Sequence, residues 1–186
     1  MQKRSRPKDS PPARAASSVG FAPVAGAAAS VLILGTLPGR VSLARGEYYA
    51  QPQNAFWRIM GELFGAGPDL PYAERTSRLI ERRVAVWDVC ASAKRAGSLD
   101  SKIELGTILP NDFAWFFASH RQIEIIALNG AMAESLFHRF VSPRLDAKAR
   151  EIARIRLPST SPANASVAYA AKLAAWSAIR RRRRPG

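Results

Sequence analysis

The segment spanning residues 31–57 limits the possible folds more than any other part of the chain. It begins with four large apolar residues, VLIL, which are typical of a strand buried on both faces of a parallel sheet. The strand stops at the turn GTLPG, residues 35–39, where two glycines let the backbone approach a ligand closely and a proline fixes one dihedral angle. Open α/β sheets bind ligands at the carboxyl ends of their strands. The segment therefore predicts an α/β fold with main-chain N–H groups held at the end of a central strand.

Aromatic side chains and one amide follow this turn. Tyr48 and Tyr49 come first, and Asn54, Phe56 and Trp57 follow within a few residues. Apolar residues recur at helical spacing over residues 53–64, which predicts that Phe56 and Trp57 anchor a helix in the core. Each of these features alone is also typical of simple packing. It is the order of the whole segment that favours a binding site, poor in charge and rich in aromatic faces.

Three further segments have the pattern of buried strands, with helical patterns between them. Strands are expected at residues 84–89, 123–128 and 152–157. Helices are expected at 71–83, at 112–119, from residue 129 onward, and at 161–179, where a serine cap precedes a proline in the first turn. Such alternation places helices on both faces of a sheet. The predicted fold class is α/β, a three-layer α/β/α sandwich around a mainly parallel sheet of about four strands.

Length and charge set the expected domain organisation. With 186 residues, 47% of them hydrophobic, the chain is long enough for one domain with a sizeable core and too short for two. The formal net charge is +14, to which residues 1–18 contribute +4 and the arginines at 180–184 contribute +5. We expect a disordered basic arm at 1–18, a single domain at 19–179 and a basic tail at 180–186. The excess charge favours a polyanionic partner and salt-sensitive binding, without choosing between DNA, RNA and a membrane surface.

Cysteine and histidine are too scarce for the usual metal sites. The single cysteine, Cys90, permits no internal disulfide, and two histidines give no ligand spacing for zinc or an iron–sulfur cluster. No cluster of aspartates suited to magnesium is evident in the sequence. The apolar segment 19–34 is interrupted by Pro23 and by glycines, which argues against a signal or transmembrane segment. We expect a cytoplasmic protein that needs no metal and no other cofactor.

The order of motifs resembles that of the uracil-DNA glycosylase superfamily, and most closely its hypoxanthine (deoxyinosine) branch. The motifs are GxxPG at 35–39, YYA at 48–50, PxNxFW at 52–57, NGxxAxxLF at 129–137 and LPSTSPAN at 157–164. The resemblance covers about residues 31–179. It implies a monomeric, monofunctional DNA glycosylase that flips a deaminated base of DNA, most of all hypoxanthine, out of the stack and hydrolyses its N-glycosidic bond.

The resemblance also implies roles for individual residues. Asn54 is the catalytic residue, expected to orient water because an amide is too weak a base to deprotonate it. Tyr49 is expected to stack on the flipped base, and Asp88 either accepts the N1–H of hypoxanthine or ties down the next loop. The full set of base-binding residues is Gly35, Thr36, Leu37, Pro38, Gly39, Tyr48, Tyr49, Asp88 and Asn129. The residues expected to contact DNA are Pro158, Ser159, Thr160, Ser161 and Pro162.

Two positions depart from the superfamily pattern. Leu37 stands where many members carry the aspartate or asparagine that orients water, and Leu157 replaces a histidine that can stabilise the departing base. Segment 157–164 also lacks an obvious bulky side chain that could wedge into a duplex. These departures predict slow, selective catalysis. They leave two alternatives open, a mismatch-directed uracil or thymine glycosylase and a relative that binds nucleic acid without catalysis.

Overall fold

Strands and helices alternate along residues 17–181, the part of the chain that the structure, a computed structural model, describes. The strands are β1 (Ser17–Val19), β2 (Val31–Gly35), β3 (Val84–Asp88), β4 (Cys90–Lys94), β5 (Leu109–Pro110), β6 (Ile125–Asn129) and β7 (Ala153–Leu157). The α-helices are α1 (Arg40–Arg45), α2 (Phe56–Phe64), α3 (Tyr72–Glu81), α4 (Phe113–Ser119), α5 (Ala131–Leu136), α6 (Ala147–Glu151), α7 (Tyr169–Trp176) and α8 (Ala178–Arg181). Short 3-10 and π-helical turns join several of them.

Four of the strands form one parallel sheet in the order β3-β2-β6-β7, flanked by helices. This confirms the predicted α/β sandwich. The register places Gly35 at the end of β2 opposite Asp88 at the end of β3, and Asn129 at the end of β6 opposite Leu157 at the end of β7. The predicted site residues on these strands therefore come together at one edge of the sheet.

The core is built on the three strands whose sequences are almost wholly apolar. Every residue of β2, β3 and β6 is buried, whereas β7 at the edge of the sheet is largely half-buried. Large aromatic side chains from the helices, among them Phe56, Phe116 and Trp176, are also fully buried. Burying one such side chain contributes about 1.5–3 kcal/mol to the free energy of unfolding. The sheet is thus a stable platform for the residues at its carboxyl edge.

A second, antiparallel sheet, with strand order β1-β4-β5, was not predicted from the sequence. Its central strand β4 begins at Cys90, just after the end of β3, where the sequence predicts no second strand because small residues and lysine give no alternating apolar pattern there. Its edge strand β1 pairs Ser17 with Lys94 and Val19 with Ser92. The first two residues of β1 therefore precede the expected domain boundary at residue 19. The rest of the predicted arm and residues 182–186 of the predicted tail lie outside the described residues.

Two helices begin later than the sequence indicated. The helix expected from residue 53 begins at Phe56, because the Asn54 side chain accepts a hydrogen bond from the Phe56 N–H and so ends the preceding turn. Ser161 does cap a helical turn, as predicted, but that turn is a short 3-10 segment, Pro162–Asn164, and α7 begins only at Tyr169. Within residues 17–181, no helix is long and apolar enough to cross a membrane.

Candidate active site

A cleft of about 1020 Å³ opens at the carboxyl ends of the parallel strands. It is lined by the turn 35–39, by Tyr49, Asn54 and Asp88, by the loop 98–101, and by the segments 129–132 and 156–164. The structure therefore brings the predicted base-binding and DNA-contacting residues to one cavity. These residues come from five separate stretches of sequence, and the parallel sheet is what unites them.

Gly35 provides the space in which two of these side chains meet. A Cβ atom at this position would lie 2.3 Å from Asp88 Oδ1 and 2.9 Å from the Tyr49 hydroxyl, both far inside contact distance. Since β2 and β3 pair in parallel with Gly35 opposite Asp88, the close approach follows from the register. The glycine at the start of the motif is thus required by packing around the carboxyl group.

The Asp88 carboxyl group is buried, and one of its two oxygens lacks a hydrogen-bond partner among the described residues. The residue is 4% exposed, and Oδ2 is fully buried and accepts no hydrogen bond from any described residue. Burial, and then the negative charge of Asp100, raise the pKa of Asp88 to about 8, although the positive charge of Arg95 opposes this. The group is therefore mostly protonated near pH 7, so it carries both an O–H donor and a carbonyl acceptor at the wall of the cleft.

The turn 35–39 is held from behind by a buried arginine that sequence reasoning missed. The Arg95 side chain is 1% exposed, and its guanidinium donates to the carbonyl oxygens of Leu37, at 3.1 Å, and of Pro38. It also lies 3.5 Å from Asp100 Oδ1, and Asp100 Oδ2 in turn accepts a hydrogen bond of 2.8 Å from the Thr36 hydroxyl. Arg95 follows a lysine in a polar segment, so nothing in the sequence distinguished it from a solvated surface residue.

These contacts leave main-chain donors of the turn available. The N–H groups of Leu37 and Gly39 donate to no acceptor among the described residues, and both residues line the cleft. The neighbouring Arg40 N–H is occupied by the Ser98 hydroxyl, at 3.1 Å. The N–H groups of Leu37 and Gly39 are therefore free to donate to a carbonyl oxygen of a base in the cleft.

Tyr49 is placed in the cleft by an uncommon backbone conformation. Its φ angle is 55°, in the left-handed region that non-glycine residues rarely adopt and that is often found at functional sites. Phe56 covers one face of the ring, with the ring centroids 3.8 Å apart and nearly parallel. The hydroxyl accepts a hydrogen bond of 3.2 Å from Asn129 Nδ2. The ring is fixed on two sides and borders the cleft, as stacking on a flipped base requires.

Asn129 connects three of the motifs. Its Nδ2 donates to the Tyr49 hydroxyl and, at 3.0 Å, to Thr160 Oγ1, while its Oδ1 accepts from the Thr160 N–H at 2.9 Å. The Thr160 carbonyl oxygen accepts from the Ala55 N–H, next to Asn54. Both ends of the Asn129 amide are therefore engaged within the protein, so the residue supports Tyr49 and the loop at Thr160.

The loop expected to contact DNA has a buried centre and an accessible rim. Thr160 is 1% exposed and turned inward, whereas Pro162 is exposed and Pro158, Ser159 and Ser161 are half-buried along the cleft. The loop is anchored from below, because the Trp176 indole donates to the Pro158 carbonyl oxygen at 2.9 Å. Of the five predicted contacts, Thr160 is the one whose residue is buried.

Asn54 lies half-buried at the edge of the cleft. Its Oδ1 accepts from the Phe56 N–H at 3.0 Å, and because a backbone N–H needs an acceptor, this bond fixes which end of the amide is oxygen. Nδ2 forms no hydrogen bond with a described residue, so a donor remains free beside the cleft. The predicted water-orienting role therefore rests on an N–H group held in place by a helix start.

Tyr48 occupies a more internal position than the sequence suggested. It is 3% exposed, and its hydroxyl donates towards the carbonyl oxygens of Phe21, at 3.4 Å, and Ala22, at 3.2 Å. Its carbonyl oxygen accepts from the Trp57 indole at 2.9 Å. Tyr48 contributes to the lining of the cleft, but its hydroxyl fastens the segment before β2.

Positive charge at the cleft comes from two arginines that the sequence did not single out. Arg40 is exposed and forms no salt bridge with a described residue, whereas Arg156 pairs with Glu134 at 3.2 Å. The described residues that line the cleft include no lysine. The cleft can therefore attract phosphate, but its described lining carries no primary amine that could attack a sugar carbon.

Comparison with known proteins agrees with this geometry. The family model of the uracil DNA glycosylase superfamily matches residues 23–180. A hypoxanthine DNA glycosylase of Methanosarcina barkeri is 35% identical over 112 residues, which cover 60% of this chain and 70% of that protein. One of Methanosarcina acetivorans is 36% identical over 115 residues, covering 61% and 72%.

A solved structure shows the same fold over a longer span. A solution NMR structure from Methanosarcina acetivorans, of a protein provisionally described as a uracil DNA glycosylase, superposes with a TM-score of 0.73 at 30% identity, covering 89% of this chain and 98% of that one. The matched segment 23–180 contains every strand of the parallel sheet and every residue of the cleft described above. The chain therefore belongs to the uracil DNA glycosylase superfamily.

Proposed function

We propose that this protein is a monofunctional DNA glycosylase that hydrolyses the N-glycosidic bond of a deaminated base, with hypoxanthine as the preferred base. The observation that carries the proposal is that one cleft is lined both by the protonated carboxyl group of Asp88, whose Oδ2 has no partner among the described residues, and by Leu37 and Gly39 with their free N–H donors. Two relatives named hypoxanthine DNA glycosylase support the choice of base.

Deamination changes a base in the way that these groups recognise. Deaminating adenine turns an amino group and a ring nitrogen acceptor into a carbonyl oxygen and a ring N–H. The N–H groups of the turn can bond only to the carbonyl oxygen, and an amino group in the same place would leave donors facing donors. An unmet buried donor costs about 1–3 kcal/mol, enough to disfavour adenine. The Asp88 carbonyl oxygen accepts the ring N–H.

The remaining groups serve extrusion and hydrolysis. The Tyr49 ring, backed by Phe56, gives the flipped base a stacking surface worth about 1–3 kcal/mol. Asn54 Nδ2 holds the attacking water without removing its proton, and neutral Asp88 is not a base either. With no strong base on the water, cleavage depends on stabilising the departing base, so the reaction is slow and selective.

The DNA partner follows from the superfamily, and finer points are part of the proposal. Since the described lining of the cleft has no primary amine, we expect an abasic site as product, without strand cleavage by a lyase step. We also propose that the protein acts as a monomer in the cytoplasm and without a cofactor.

The decisive experiment uses duplexes that carry one hypoxanthine, one uracil or no lesion, with alkali to cleave the abasic sites formed. We expect hypoxanthine release by the wild type. Asn54→Ser keeps an oxygen that can cap the Phe56 N–H but lacks Nδ2, so it should fold normally and lose about 100-fold in single-turnover rate, as for loss of one catalytic donor. Gln53→Ala, an exposed neighbour outside the cleft lining, is the matched control and should keep the wild-type rate.

The possible outcomes separate the hypotheses. Uracil as the preferred substrate would move the protein to the uracil or thymine glycosylases, since uracil presents the same pairing of carbonyl and ring N–H. DNA binding without release of any base would favour the non-catalytic relative. An Asn54→Ser variant as fast as the wild type would show that Asn54 serves only to begin α2.

A further inference from the structure

Arg95 is a charged residue in a buried position, where a charge is costly. Arginine is rarely fully buried unless it is paired, and the carboxylate that pairs with it among the described residues, Asp100, lies 3.5 Å away with its side chain 41% exposed. The Arg95 Nε is buried without a hydrogen-bond partner among the described residues. The site therefore holds a poorly compensated positive charge directly behind the turn 35–39, at a cost in desolvation.

The peptide bond between Pro38 and Gly39 carries the effect of this charge to the cleft. All described peptide bonds are trans, so the Pro38 C=O and the Gly39 N–H point in opposite directions. The carbonyl oxygen accepts a hydrogen bond from Arg95 on the buried side. The Gly39 N–H, which has no partner among the described residues, consequently points away from Arg95, and Gly39 lines the cleft.

A hydrogen bond from a cation to a peptide carbonyl polarises that peptide and strengthens its N–H as a donor. The Leu37 N–H lacks this advantage, because the carbonyl of its peptide group, that of Thr36, accepts only from the neutral Cys90 N–H at 3.0 Å. Gly39 therefore carries the stronger of the two free donors. Among the described contacts, the hydrogen bond from Arg95 is what distinguishes the two peptide groups.

We propose that Arg95 is a positioning residue that aims and strengthens the Gly39 N–H, so that this donor stabilises the negative charge on the carbonyl oxygen of the departing base. The inference rests on the proposed function. In that reaction the bond between C1′ of the sugar and the base nitrogen breaks, and its electron pair leaves with the base. Water adds to C1′ and releases one proton, which the base finally takes up.

The test compares two leaving bases of different acidity in otherwise identical duplexes, hypoxanthine and 2-fluorohypoxanthine. The electron-withdrawing fluorine stabilises the departing anion by itself, so this base needs less help from the enzyme. Full-length Arg95→Met should slow single-turnover release of hypoxanthine by up to about 100-fold, the limit set by losing one preorganised donor, and should slow release of 2-fluorohypoxanthine clearly less. A merely structural defect would slow both equally.

Variants at Gly39 test the same path without disturbing the buried arginine. Gly39 has φ −71°, which proline tolerates, and a Cβ there would meet only Ser98, at 3.8 Å. Gly39→Pro removes the N–H, whereas its matched control Gly39→Ala adds a carbon and keeps the N–H. Like Arg95→Met, Gly39→Pro should slow the release of hypoxanthine more than the release of 2-fluorohypoxanthine. Gly39→Ala should keep the ratio of the two release rates that the wild type shows. Arg95→Met should add little in the Gly39→Pro background.

Arg83→Met controls for the loss of an arginine bonded to a carbonyl oxygen elsewhere. Arg83 donates to the Ala28 carbonyl oxygen at 2.8 Å and does not line the cleft, so this variant should keep the wild-type rates on both bases.

Four results would overturn the inference. Equal slowing of both bases by Arg95→Met, or full additivity of Arg95→Met with Gly39→Pro, would reduce Arg95 to a structural role. If Arg95→Met does not fold, the two Gly39 variants provide the test. The same ratio of hypoxanthine release to 2-fluorohypoxanthine release in Gly39→Pro and in Gly39→Ala would refute the inference. A wild type that releases no base from any duplex would instead refute the proposed function and the inference with it.

Discussion

Replacing the buried carboxyl group of Asp88 by an amide should stabilise this protein, and the gain should grow with pH. The group has no hydrogen-bond partner at Oδ2, and its negative form is opposed by burial and by Asp100. Asp88→Asn keeps the size and polarity of the side chain while removing its ionisation. The other titratable groups that interact with Asp88 are Tyr48, Tyr49, Cys90, Asp100 and Arg95.

The magnitude follows from proton linkage. The pKa of Asp88 is raised from an ordinary value of 3.8 to about 8 in the folded protein. Between these limits the folded protein holds a proton that the unfolded chain has lost, so stability falls by about 1.4 kcal/mol for each pH unit of increase. From about pH 5 to about pH 7, the wild type should therefore lose about 3 kcal/mol relative to Asp88→Asn.

Urea unfolding of both proteins at several pH values measures this difference directly. Groups other than Asp88 titrate in both proteins, so the difference between the two free energies of unfolding isolates the carboxyl group. The difference should rise steadily from about pH 5 and level off above about pH 8, where Asp88 is ionised in both states. A difference that stays constant between about pH 5 and about pH 7 would mean that Asp88 is ionised in the folded protein, and the argument that Asp88 cannot act as a base would fail with it.

Three further substitutions test the cleft. Gly35→Ala places a Cβ 2.3 Å from Asp88 Oδ1, so we expect the free energy of unfolding, measured with heat or urea, to fall by about 1–3 kcal/mol and base release to be lost. An unchanged free energy of unfolding would contradict this close packing. Tyr49→Phe removes the oxygen that accepts the hydrogen bond from Asn129 but keeps the ring stacked on Phe56. The free energy of unfolding should therefore fall by about 1 kcal/mol, while the rate of base release stays within a few-fold of the wild type. A loss of rate as large as that of Tyr49→Ala would mean that base release depends on the hydroxyl and not on the ring. Arg40→Gln should lower the slope of log Kd for DNA against log salt by about 1, as expected for one lost phosphate contact, while Arg82→Gln, an exposed arginine outside the cleft, should leave the slope unchanged.

The parts of the fold that were predicted correctly are those that depend on local pattern. The apolar runs of β2, β3 and β6 identified buried parallel strands, because a strand covered on both faces can hold no polar residue in its interior. The turn after β2 was recognisable for a similar reason, since its glycines and proline restrict the backbone whatever surrounds them. The antiparallel sheet around β4 was missed because its strands are short and give no such pattern.

The candidate site was located by sequence, but the state and partners of its groups were not. Nothing local indicates that Asn129 bonds to Thr160, 31 residues later, or that Arg95 lies under a turn 57 residues earlier. The pKa of Asp88 likewise depends on burial and on Asp100, which reaches the site through a separate loop.

The sequence by itself determined which strands are buried and which residues follow their carboxyl ends, because burial and backbone restriction limit the residue types that can occupy each position. Only the tertiary structure decided which of those residues meet, which donors stay free and which carboxyl group keeps its proton. These properties arise from the register between strands and from distances between segments remote in sequence, and both the electrostatic energy and the hydrogen bonds of the site depend on them.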